Sequence, residues 1–573
     1  MNDGTVSSAA ATVSITVNSV PDPPVAGNDA FSTVGNVELV AAELGDGSMP
    51  SGPAFVSAAG NVLANDSDPV EGTPITIVEL QGDTAAPFTG TTSAGGTVTL
   101  LADGRFVYTP EAGDGTSSDP FSSLSDPGTM NDAEDVSTTG ESILVFLGDG
   151  TADNQDQGIT LEANQKLFGH STATLLLGGI TVQTPSPGAR PKIDNVNVAG
   201  DGVTITDATG VEVAGLDISG TDNAVQIRST IAGTFTASIH DNTISGAGSH
   251  GIDARTTAGE LRLVLDANTG IAAGGSGVLL DSTGGGALFV TSFGGNGVDG
   301  ATAADGLFAN GVTFDADPGT PGFEEVVAGD GLKLTGVKGN LHFTQLDVFN
   351  TGGVAIQAVA DTSGGTGFEL SVADGQVEST GDSHGILLTD VGIDPTDDFV
   401  LNRIVSSGST RGVELLRVLG GDVSIVDAGA ASSLSSTGEA IRVEGGTSAV
   451  TFSGVSATRT TGGGAAIFGL NHDGSFAMTM GTITHSGGRA IDFDNMDGGS
   501  DFTGTTVSTT NHHGKRLVNS AGTHSFPAVV ITTAPPAGVD ALHLEDNAGT
   551  TNVGGLSVTP AAHVVCSRAT PER

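Results

Sequence analysis

Four charged residues stand out for what their spacing allows. Arg228, Asp253, Arg255 and Asp281 each follow, by one or three places, one of the apolar residues Val225, Ile252 and Val278. If those three are inward anchors of successive strands, alternation turns the four charged side chains outward. Strand stacking then sets them within roughly 10 Å of one another. A carboxylate in that position can move a proton or hold a cation, and an arginine can clamp a negative charge. The plain alternative is charge pairing on an exposed sheet face, which contributes little.

Other candidates are weaker. Asp492 and Asp494 project from one strand as a pair able to take a cation, with no basic neighbour expected in their own column. His250 and His384 lie two residues before apolar anchors, as do Asp201, Arg411 and Arg489, and read as corner residues. The two histidines fall five repeats apart, too far to share a metal. His512 and His513 are adjacent, so in a strand they point to opposite faces. No Cys/His spacing matches a zinc site. Gly462-Gly463-Gly464 lies between repeats rather than between a strand and a helix, which excludes a phosphate-binding loop.

The elements that must position these residues come from an internal repeat. From about residue 200 a polar residue, a Gly or Ala, a Val/Ile/Leu, one variable residue and usually another apolar one recur. The anchors are Val203, Val225, Ile252, Val278, Leu307, Leu332, Ile356, Ile386, Val413, Ile441, Ile467, Ile491, Leu517 and Leu542. Their spacings run from 22 to 30 residues, 339 residues over 13 intervals, or about 26 each. The preceding residue is small in thirteen of the fourteen; Arg516 is the departure, which makes the Leu517 coil the least regular. Such a chain stacks short strands about 4.8 Å apart along an axis, each anchor falling on the same inward column. Fourteen coils give a rod on the order of 65–70 Å.

Composition agrees with a repeat protein and excludes several classes. Of 573 residues, 88 are glycine, none is tryptophan and one is tyrosine. Hydrophobic residues are 37% and recur in short Val/Ile/Leu runs, which argues against disorder. With 19 Lys and Arg against 66 Asp and Glu, the net charge of −47 makes nucleic acid a poor partner. The single cysteine, Cys566, excludes an internal disulfide. No apolar run reaches the roughly 20 residues that span a bilayer, so no membrane insertion is expected of this chain. Met1-Asn2-Asp3-Gly4-Thr5 lacks the features of a signal peptide.

Within the coils, Ser238-Ile239-His240-Asp241-Asn242-Thr243-Ile244-Ser245-Gly246 resembles the strand and turn of pectate-lyase-like right-handed parallel β-helices. Ile143-Leu144-Val145-Phe146-Leu147-Gly148-Asp149-Gly150-Thr151, then Gly158-Ile159-Thr160-Leu161 and Lys166-Leu167-Phe168-Gly169, resemble the first coil of that superfamily. This likeness covers about 430 residues. Nearer the N-terminus, Gly60-Asn61-Val62-Leu63-Ala64-Asn65-Asp66-Ser67-Asp68-Pro69 and Gly104-Arg105-Phe106-Val107-Tyr108-Thr109-Pro110 resemble cadherin-like tandem repeats of large bacterial surface proteins. In that family a strand like 12–17 ends one repeat and a linker like Pro21-Asp22-Pro23-Pro24 opens the next.

The resemblances imply an all-β chain: a right-handed parallel β-helix of about 14 or more coils, preceded by a β-sandwich of cadherin or Ig-like type. The expected divisions are 1–20, the last strand of a preceding repeat; 21–127, the cadherin-like module; 128–200, the β-helix entrance; 201–562, the β-helix; and 563–573, a truncated or out-of-frame tail. Carboxylates near cadherin linkers hold calcium through several hard oxygen ligands, which makes Asp22, Asp29, Asp66 and Asp68 the matching residues. Val70-Glu71-Gly72 departs from the more acidic family pattern.

Enzymes on the β-helix fold cleave acidic polysaccharides, and the resemblance carries that activity to Arg228, Asp253, Arg255 and Asp281. The lack of tryptophan, and of tyrosine outside the first module, counts against sugar stacking. The expected function is therefore a non-enzymatic, adhesin-like or structural repeat protein, extracellular or at the cell surface. It is expected to be a fragment of a longer chain, whose other domains are partners beside a polysaccharide or cell-surface ligand. The alternative is a polysaccharide lyase or glycoside hydrolase, and a third option is a spacer.

Overall fold

The structure is a computed structural model. It describes residues 12–16, 23–31, 38–41, 55–58, 60–68, 74–93, 96–109, 134, 137–145, 158–169, 175–177 and 180–183. From 190 to 568 it describes all but 303, 321–322, 328–330, 351, 363–366, 382–383, 428, 430, 510–513, 528–529, 532–541, 555–556 and 559–564. By chain contacts it divides into two units, one built mainly from the first 114 residues and one from the rest.

The first unit holds a five-stranded sheet in the order Phe55–Ala58, Glu38–Ala41, Phe106–Thr109, Thr97–Leu100, Phe88–Thr91. Its first pair is parallel and the others antiparallel. Val40 and Val107 form the buried centre, and Phe31 meets Phe106 edge-on at 4.9 Å.

The second unit is a parallel β-solenoid of about 13 turns, close to the number the anchors imply. Most turns give a strand to each of three ladders; the turn that starts at Ile252 meets the third through the single bridges Thr243–Thr269 and Ala247–Ala273. The anchors make the first. Val203 lies opposite Val225, Val225 opposite Ile252, and Ile252 opposite Val278, and the same one-to-one pairing continues to Ile491. The reason is the alternation: strands such as Val225–Ser229 bury every second side chain, and only one register keeps each apolar residue inside. The small residue before an anchor is forced by crowding. A Cβ on Gly251 would stand 2.5 Å from the carbonyl oxygen of Gly277.

One anchor is corrected. Lys515, not Leu517, lies opposite Ile491 and Leu542, and Leu517 pairs with Phe493 and Leu544. An inward column is expected to be apolar throughout, and a lysine breaks that expectation. Within the expected tail, Val565–Arg568 forms a strand paired in parallel with Leu542–Glu545.

Three devices hold the turns. Four residues after the anchor, the chain passes repeatedly into the left-handed region: Asp207, Asp390, Arg417, Asn471, Asn495 and Asn519 have φ between 51° and 57°. Asn and Asp tolerate that conformation best among non-glycine residues. Between the second and third ladders, Asn242, Asn268 and Asn296 stack; each amide nitrogen donates to a carbonyl one turn back, and the first two also donate to the next asparagine. Inside the later turns Phe452, Phe476, Phe493, Phe502 and Phe526 form a chain of ring contacts with centroids 5.3–6.0 Å apart.

Candidate functional site

Asp253 and Arg255 project from the strand Ile252–Thr256, and Arg228 from its neighbour Val225–Ser229. The register sets Asp253 beside Gln226 and Arg255 beside Arg228. Both oxygens of Asp253 are engaged: Oδ2 accepts from Arg228 Nη2 at 2.7 Å and Oδ1 from Arg255 Nε at 2.8 Å. Arg228 also donates to the Asp253 carbonyl at 2.8 Å. The carboxylate is only 2% exposed, whereas the arginines are 22% and 41% exposed.

The structure thus brings three of the four residues into one cluster. Asp281 occupies the expected place in the column of Arg255, but its carboxylate accepts from the Thr283 amide at 3.1 Å and from Asn310 Nδ2 at 3.4 Å.

The corner residues extend the cluster. Asp201 accepts from the backbone and side-chain nitrogens of Asn223 and from Gln226 Nε2. Burial pushes the Asp201 carboxyl above its usual range, against the pull of the Asn223 hydrogen bonds. His250 Nδ1 accepts from the Ser276 amide at 3.1 Å, and burial lowers its pKa despite the nearby charge of Asp253. These corner residues therefore tie one turn to the next. A carboxylate with both oxygens held by guanidinium groups is a charge-neutralised pair, poorly placed to accept a proton from a ligand.

A second charged cluster escaped the sequence reading. Glu414 Oε2 accepts from His384 Nε2 at 2.8 Å and Arg411 Nη1 at 3.0 Å, and Arg442 Nε stands 3.4 Å from Oε1. Arg411 reaches on to Glu439 at 2.8 Å, and Arg442 stacks on Phe468 with its guanidinium 4.8 Å from the ring centroid. The signal lay in the corner positions, where His384, Arg411 and Glu439 each precede an anchor by two. Glu414 and Arg442 follow their anchors by one and supply the opposite charges.

The Asp492/Asp494 pair is also corrected. Asp492 accepts from Arg489 at 2.6 Å and from Arg516 at 2.8 Å, and Arg516 stands opposite Asp492 in register. The two-residue shift that places Lys515 in the anchor column supplies the basic neighbour.

Among the proposed calcium ligands, Asp22 lies outside the described residues, as do His512 and His513. Val25 and Ser67 form an antiparallel bridge, so the linker meets the turn that carries Asp66 and Asp68. Asp66 Oδ1 accepts from the Gly27 amide at 2.7 Å, and Asn65 Nδ2 donates to the Asn28 carbonyl. Asp29 is exposed. Among the described residues no three His, Cys, Asp or Glu side chains cluster as metal ligands, and no helix is long and apolar enough to cross a membrane.

Residues 109–306 match the model of a family described as a protein of unknown function (DUF1565), a β-helix-type family. The matched span contains the Arg228, Asp253 and Arg255 cluster. No curated protein and no solved structure matches the chain.

Proposed function

We propose that this chain is a non-enzymatic, secreted or cell-surface repeat protein of adhesin-like or structural type. Its solenoid, taken as a right-handed β-helix of pectate-lyase-like kind, serves as a rigid support for contact with a polysaccharide or cell-surface ligand. The observation that carries this reading is the occupancy of Asp253, whose two oxygens are held by Arg228 and Arg255. The third ladder adds support. Over its later turns the outward positions form two uncharged columns, Ser433, Ser456, Thr482 and Thr506 beside Ser435, Thr458, Thr484 and Ser508, while the turns before them carry Asp347 and the paired Glu378 and Arg403. Those later turns present hydroxyl side chains rather than converging charges.

The N-terminal unit fits the same reading as a cadherin-like module. Asp29, Asp66 and Asp68, with Asp22, would hold calcium there, since carboxylates on a linker and a facing turn offer the hard oxygens that ion takes.

The test is release of reducing ends from a panel of acidic and neutral polysaccharides, with calcium and with chelator. No release by folded protein is the expected result. Release that Asp253→Ala abolishes would replace this reading with a lyase or hydrolase centred on Asp253.

A further inference from the structure

Lys515 stands in the inward column of the solenoid, between Ile491 and Leu542. Its Nζ lies 3.6 Å from the ring centroid of Phe526, 4.5 Å from Phe502 and 4.9 Å from Phe493. It donates to Ser500 Oγ at 3.2 Å, and that oxygen lies 2.9 Å from His524 Nδ1. All three residues are buried, and His524 Nε2 is enclosed without a hydrogen-bond partner.

Burial disfavours charge on both bases, against the three ring faces around Lys515, which favour its ammonium form. The charged residues on the packed strands, Arg516, Asp492, His543, Asp494 and Glu545, occupy the alternate, outward positions. Asp501 pairs with Ser525 one place beyond the inward Ser500–His524 pair. The groups whose charges act on His524 are Lys515, which disfavours its protonation, and Asp497, which favours it. Burial holds the Lys515 amine well below the usual lysine range. Burial, with Lys515, pushes His524 down to about 4.

We propose that Lys515, Ser500 and His524 form an acid-sensitive latch: the turns that carry them stay closed while both bases are neutral and open when they take up protons. The sign follows from linkage. A base whose folded pKa is depressed binds more protons when its surroundings open, so closure strengthens as pH rises between the two values. For His524 that window runs from about 4 to 6.5, and for Lys515 it extends up toward 10.5. Opening stays local because each turn of a solenoid contacts only its neighbours.

Hydrogen exchange on the full chain at pH 8 and pH 5 tests the latch. Protection of the amides in Lys515–Val518, and of His524, Ser525 and Phe526, is expected to fall at least about tenfold more than in Ile252–Thr256, one pKa unit's worth of coupling. In Lys515→Met the local response is expected to shrink to the part that His524 supplies below pH 6.5. Equal changes in the unaltered protein overturn the proposal, as does a Lys515→Met protein with an undiminished local response. If Lys515→Met fails to fold, His524→Phe decides, with exchange read also at pH 6.5 and pH 4: it must lose the part of the response between those two values, and keeping it overturns the latch.

Discussion

Arg228 and Asp253 are joined across one turn of the solenoid by two hydrogen bonds, one to the carboxylate at 2.7 Å and one to the main-chain carbonyl at 2.8 Å. The pair sits at a boundary: the carboxylate is almost wholly enclosed, while the guanidinium reaches water. Removing the carboxylate ends both ion pairs, whereas removing Arg255 leaves the one with Arg228 in place. Asp253→Ala is expected to destabilise by about 1–3 kcal/mol, because Arg228 and Arg255 both lose their carboxylate acceptor. Arg255→Ala, at the more exposed end, should cost about 0–1 kcal/mol. Urea unfolding of both variants checks the order. Equal losses would mean that Asp253 is no more than a surface partner.

Much of this arrangement was legible from the sequence. An inward column must be apolar, so thirteen of the fourteen anchors could be read directly, and counting one and three places onward put Arg228, Asp253 and Arg255 on one face. The anchor at Lys515 was not legible by that rule, because an enclosed lysine violates it. A second rule would have found it: Asn519, four residues later, holds the left-handed corner as Asn495 does one turn before. The Glu414 cluster needed knowledge of how far His384 and Arg442 reach across turns, which spacing does not encode. The stacked asparagines lie at uneven intervals, Asn242, Asn268 and Asn296, so no fixed period marks them.

Those asparagines make a second prediction. Asn268 is fully enclosed; its Nδ2 donates to the Ile239 carbonyl and to Asn296, and its Oδ1 accepts from Asn242. Asn268→Ala takes the side-chain donor from the Ile239 carbonyl and leaves one N–H of the Asn242 amide without its acceptor, at a cost of about 2–6 kcal/mol for two such groups. Asn268→Asp should be worse, since a carboxylate has no proton to donate to the Ile239 carbonyl. The denaturation midpoints should rank unaltered protein, alanine, aspartate. An aspartate variant as stable as the parent would show that the stack is ornamental.

A third prediction concerns the corners. Met480 has φ 55° and is 71% exposed, so its side chain gains little from packing while its backbone bears the left-handed strain. Met480→Gly should stabilise, or at worst be neutral, by about 0.5–1 kcal/mol, because glycine adopts that conformation freely. Met480→Val should destabilise by about 1 kcal/mol or more, since a branched Cβ aggravates the same clash. Opposite signs in thermal unfolding are the expected pattern; a stabilising valine would contradict the strain assigned here.

Glu414 is expected to contribute, with Glu439, to the pH dependence of the middle turns. Burial raises its pKa, but the hydrogen bond from His384 and the charge of Arg411 outweigh that, and the folded value lies below the ordinary 4.5. A carboxylate with a depressed folded value favours the folded state fully above its unfolded pKa and loses that contribution as pH falls through the folded one. Stability near Glu414 should therefore hold from pH 7 to about 5 and decline below 4.5. Glu414→Gln removes the titrating group, so this variant is expected to start lower at pH 7, by about 1–3 kcal/mol, and to lose less on acidification. Unfolding curves at pH 7 and pH 3.5 for both proteins give the comparison. Parallel acid losses would place the acid-sensitive carboxylates elsewhere in the solenoid.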